Sequence, residues 1–147
     1  MEVQDLDRLM RSFDGVETSE AFGYRFYFVG SDHRLPFATI AESDNDYDSI
    51  SNLDRPGVFR LNVGIGRESY EDLCGELEKV PKDDRDYTAL NVFQPHPDYA
   101  AQRFFCILNP TGDNEAVVRK LLAEAYEIAR TRTQRTRGTG EPPAPRV

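Results

Sequence analysis

The sequence predicts an α+β fold in which an antiparallel sheet is flanked by helices from the N- and C-terminal parts of the chain. Apolar residues recur at helical spacing near both ends. Between them run short segments that alternate with a period of two or are densely aromatic, separated by Gly, Pro and Asp turns. At 147 residues, with 39% hydrophobic and 30% charged residues, the chain has the size and composition of one globular domain. We expect that domain over residues 1–130 and a disordered, basic, proline-containing tail over 131–147.

Val3, Leu6, Leu9, Met10 and Phe13 define an amphipathic helix that stops at Asp14-Gly15, and Val16 to Ser19 are open to an extended conformation. Residues 23–30, GYRFYFVG, form a strand covered on both faces, and Phe37 to Ala41 returns beside it as an antiparallel hairpin. The polar run ESDNDYDSISNLD, residues 42–54, is a loop. In residues 58–65, VFRLNVGI, one face holds Phe59, Leu61, Val63 and Ile65; the other holds Val58, Arg60, Asn62 and Gly64 and is polar enough to be a site or an exposed surface. Tyr70, Leu73, Cys74 and Leu77 mark a second helix starting near Arg67. Residues 87–93, YTALNVF, suggest a short extended piece; Pro95-His96-Pro97 must turn, and residues 103–108, RFFCIL, form a buried strand. Asp113 caps the longest helix, whose stripe is Val118, Leu121, Leu122, Ala125 and Ala129.

The formal charge is −8, unevenly spread. Arg132, Arg135, Arg137 and Arg146 face only Glu141 beyond residue 130, so that segment carries +3 and the rest −11. An acidic body repels a phosphate backbone, which argues against DNA or RNA as a partner. No apolar run has the length of a membrane span, and the start, MEVQDLDRLM, lacks a basic leader. With two cysteines, Cys74 and Cys106, read as reduced and buried, the expectation is a cytoplasmic protein with no membrane partner.

FDGVETSEAFG at 13–23, the strand RLNVG at 60–64 within LDRPGVFRLNVGIGRE, and YTAL followed by PHPDYAAQRFFCILNP before a long helix ending EAYEIA together resemble the MmcQ/YjbR-like group of small α+β proteins. The resemblance spans about residues 3–130 and is closest to a relative of uncharacterised function. It implies a frataxin-like, double-wing arrangement with suspected DNA binding, which the acidic body of this chain opposes.

His96, stiffened between two prolines, is the candidate general acid or base, with Asp98 as its orienting partner. Arg60 and Asn62 point the same way, about 7 Å apart. They either converge on a ligand's carboxylate, phosphate or amide, or are spent internally, Arg60 on an acid and Asn62 on loop backbone. Asp44, Asp46 and Asp48 resemble the start of a calcium loop, but Ser49 and Arg55 stand where its Gly and Glu belong, so no metal is expected. Gly64-Ile65-Gly66 mimics a phosphate turn without its remaining signature.

The resulting expectation is a binding module for a small molecule or protein partner, with no cofactor and an oligomeric state the sequence leaves open. Its cleft would lie between the sheet, the 42–54 loop and the PHPDY turn, with Arg55, Arg60 and Asn62 facing His96 and Tyr99. The rivals are a small enzyme built on His96 and, third, a DNA-binding double wing.

Overall fold

Amphipathic segments at the two ends of the chain have one place to bury their stripes, the apolar face of the strands between them. The computed structural model describes residues 1–139, with side chains to 135. Helix α1 (Val3–Arg11) precedes strands β1 (Val16–Ala21), β2 (Tyr24–Val29), β3 (Ala38–Ala41) and β4 (Arg60–Gly64). Helix α2 (Arg67–Glu78), strands β5 (Gln94–Pro95) and β6 (Phe104–Leu108) and helix α3 (Asp113–Thr139) complete the order, with short 3₁₀ turns at Lys82–Asp84 and Ala100–Gln102. The strands form one sheet in the order β1-β2-β3-β4-β6-β5. Every neighbouring pair is antiparallel.

Strand alternation divides this sheet sharply. Tyr27, Ala38, Ile40, Leu61, Val63, Phe105 and Ile107 point to one face, where they join a single buried cluster with Leu6 and Met10 of α1, Tyr70 and Cys74 of α2, and the α3 stripe. All five residues expected in that stripe are buried. Among the described residues the opposite face carries no helix. There Ala41 and Leu108 meet Leu53 of the 42–58 connection, which folds over one end of the sheet.

Three expectations are corrected. The extended piece over 87–93 is a run of turns with one bridge, Leu90 to Leu108. Asn91 at φ 62° interrupts extension there, while the Tyr87 hydroxyl donates to the Pro95 carbonyl and Gln94 Nε2 to the Asp86 carbonyl, closing a compact loop. Pairing falls instead on Gln94–Pro95, and the His96 amide still donates to the Phe104 carbonyl, so the chain leaves the sheet only after His96. Finally, the helix does not end at Arg130: α3 continues to Thr139, through residues expected to be disordered. The extension rests on propagation from a formed helix, which costs less than nucleation; Arg132, Gln134 and Arg135 favour it while the threonines and Gly138 do not. The remainder of the expected tail, 140–147, lies outside the described residues.

Candidate functional site

On the helix-free face, the register sets Asn62 opposite Thr39 on β3 and Cys106 on β6, and sets Cys106 opposite Gln94. Arg60, two residues before Asn62, shares that face. It was open to being an exposed surface; instead Arg60 is 0% and Asn62 1% exposed. A buried guanidinium must find acceptors for its fork of donors. Arg60 Nη2 donates to Asp48 Oδ2 at 2.5 Å, Nη1 to Ser51 Oγ at 3.0 Å, and Nε to Asn62 Oδ1 at 3.0 Å. Asn62 Nδ2 passes the chain on to Thr39 Oγ1 at 2.9 Å, and the Tyr24 hydroxyl donates to Asp48 from the other side. Burial alone would raise the Asp48 carboxyl, but the bonds from Arg60 and Tyr24, with the Arg60 charge, hold it below the ordinary carboxylate value. The same Tyr24 hydroxyl is pushed up to about 12, by burial first and by Asp48 second.

Arg60 is thus spent on an acid, one of the two outcomes its position allowed. Asn62 is spent on side chains rather than loop backbone. The partner, Asp48, belongs to the stretch considered as a calcium loop, and Asp44 there accepts the Leu53 amide at 2.8 Å. Those carboxylates fasten the loop to the sheet. Arg55 does not face the cleft. It grips the carbonyls of Asn52, Ser51 and Thr88, so it holds the loop whose Ser51 hydroxyl serves Arg60. The phosphate-like turn is filled from within the chain, since Glu124 of α3 accepts the Gly66 amide at 2.8 Å and the Ser69 hydroxyl at 2.7 Å.

His96 stands at the other side of this face. Its Nδ1 accepts two backbone amides, Asp98 and Tyr99, each at 3.0 Å, which fixes the proton on Nε2. Asp98 therefore orients the ring through its backbone; its carboxylate lies 3.8 Å from the Lys82 ammonium instead. Burial, followed by the Arg60 charge, pushes His96 down to about 3, with Asp48 opposing and Lys82 adding to the fall. Among the described residues no acceptor meets Nε2. Tyr99, 56% exposed, packs its ring 5.0 Å from the imidazole, and Phe104 lies 6.3 Å from it edge-on.

Aromatic rings border the polar strip on both sides. Along β2 the Tyr24 ring lies tilted 5.8 Å from Phe26, Phe26 stacks 6.3 Å from Phe28, and His33 lies flat on Phe28 at 4.2 Å. Across the strip the Phe104 ring covers Gly64 so closely that an added Cβ would sit 2.7 Å from it, which is why glycine occupies that position. Cys106 is buried between them and burial pushes its thiol up to about 12; Cys74 is pushed to about 12 for the same reason. Neither thiol is paired in a disulfide. The sequence reading placed Arg60, Asn62, His96 and Tyr99 around one face and missed Asp48, Ser51 and Thr39 as their partners. Only the aromatic richness of 24–28 signalled the border.

A profile of the DUF6194 family, described as a family of unknown function, matches residues 1–138. The chain belongs to that family. No curated protein and no solved structure matches it. The DUF6194 match takes in the loop, the sheet and His96, so the arrangement above lies wholly within the family's span. No helix among the described residues is long and apolar enough to cross a membrane.

Proposed function

We propose that this DUF6194 chain is a non-catalytic cytoplasmic binding module that takes a small molecule on the helix-free face of its sheet. The observation that carries the reading is the fixed Nε2–H of His96 beside a polar strip bordered by aromatic rings. Few aimed polar groups set in an aromatic surround are the usual make-up of a small-molecule site. The ligand then offers an acceptor to His96 and a planar or apolar body to Tyr24, Phe26, Phe104 and Tyr99.

The enzyme reading fares worse on the same geometry. A general base needs a free lone pair and a proton affinity near neutrality, but both backbone amides occupy Nδ1 and the ring sits at about 3. The likeness to MmcQ/YjbR-like proteins belongs to this proposal as a reading of element order; its DNA-binding implication is set aside on charge.

A thermal-shift screen against metabolites and nucleotides tests the proposal. A compound at 100 times its dissociation constant adds about 2.7 kcal/mol, a rise of several degrees. The rise should vanish in His96→Gln and shrink in Tyr99→Ala. A stabiliser indifferent to both substitutions defeats the proposal.

A further inference from the structure

We propose a second site, for a small oxyanion, in the groove between the polar side of α1 and the segment leading into β4. This groove has a volume of about 830 Å³ and brings together Arg8, Arg11, Arg25 and Arg55 with Glu2, Asp7 and Glu42. In a chain of net charge −8, four guanidinium groups against three carboxylates around one opening are a local reversal of sign, though by a single charge.

The hydrogen-bond inventory gives the ligand's chemistry. Asp7 is spent: it accepts the Tyr27 hydroxyl at 2.7 Å and Arg11 Nε at 3.0 Å, with Arg25 Nη1 at 3.4 Å. Glu42 accepts Arg25 Nη2 at 3.2 Å. The donors are not spent. Arg25 Nε is buried with no hydrogen-bond partner among the described residues, its nearest carboxylate being Glu20 at 3.8 Å. Arg55 bonds its carbonyls through Nε and Nη2, leaving Nη1 over. Among the described residues Arg8 reaches only Asp5, at 3.6 Å through Nη1, and Arg11 uses Nε and Nη2.

A groove with surplus N–H groups, whose most enclosed carboxylate, Asp7, is already bonded to Tyr27 and Arg11, is complementary to a ligand that only accepts. Guanidinium forks match the oxygens of phosphate and carboxylate groups, and such charge-assisted bonds are the strong ones. Arg55 adds pre-organisation, because three backbone carbonyls fix its plane before any ligand arrives. The site is separate from the helix-free face and stands or falls without it.

Calorimetric titration of the full chain with pyrophosphate and, separately, with citrate tests this. The expected result is saturable binding of at least one, the stronger arm telling phosphate from carboxylate chemistry. Arg8→Gln and Arg55→Gln should each weaken it about tenfold, while Arg119→Gln on exposed α3 leaves it unchanged. Arg55→Gln also loosens the loop, so Arg8→Gln decides if that variant fails to fold; Arg8 is 78% exposed, and its surface pair with Asp5 at 3.6 Å contributes little to stability. No saturable binding of either anion overturns the proposal, as does an equal loss in Arg119→Gln.

Discussion

The two faces of the sheet are built from alternate residues of the same strands and obey different rules. Leu61 and Val63 point into a cluster roofed by three helices; Arg60 and Asn62, their immediate neighbours, point into a polar network roofed by a loop. The first arrangement is what folding requires. The second buries a cation, whose desolvation cost an apolar side chain of similar size would avoid. The difference teaches where this chain departs from simple stability, and so where a function is best sought.

Substitutions can break that contrast in order of size. Phe105→Ala on the helix-roofed face should cost about 4 kcal/mol in urea denaturation, the ordinary penalty for emptying a packed aromatic site. Asp48→Ala should cost about 3 kcal/mol, because it strands Arg60; Asp48 keeps 11% exposure, which places it at the low end for a broken buried pair. The double change Asp48→Leu with Arg60→Met should recover most of that loss. A double variant as unstable as the single one would mean the network itself holds the fold together.

Acid sharpens the comparison next. A neutral His96 in the folded state, at about 3, faces an unfolded value near 6.5, so the unfolded chain takes up the proton first as pH falls. Stability should therefore decline below about pH 6.5, by at most ~1.4 kcal/mol per pH unit, and keep declining toward the folded value. Asp48 adds its own loss at lower pH, starting as pH falls through the ordinary carboxylate value and continuing toward its depressed folded value. His96→Gln should flatten the curve between pH 6 and 4. Smallest of all, Gly64→Ala should cost about 1 kcal/mol while displacing the Phe104 ring, and ligand response should fall by more than stability does.

Much of this architecture was legible in the sequence because it rests on local periodicity. The 58–65 alternation, the α3 stripe and the hairpin over 24–41 are patterns that burial imposes within a few residues. What stayed hidden depends on contacts between distant segments. Asp48 is one acid of many, and nothing near it marks it as the partner of Arg60. The two-residue strand Gln94–Pro95 is set by its pairing with β6 rather than by its own residues. His96 was visible through its flanking prolines, but the amides that occupy Nδ1 depend on how the chain turns at Asp98 and Tyr99, and those reverse its role from acid-base group to fixed donor.

The most direct test of the helix-free face is an amide NMR map of the protein recorded with each compound that raises its melting temperature. We predict that shifts cluster at Thr39, Asn62, Gly64, His96 and Phe104. Shifts confined to the helix-roofed face or to the α1 groove, with these residues unmoved, would contradict the account.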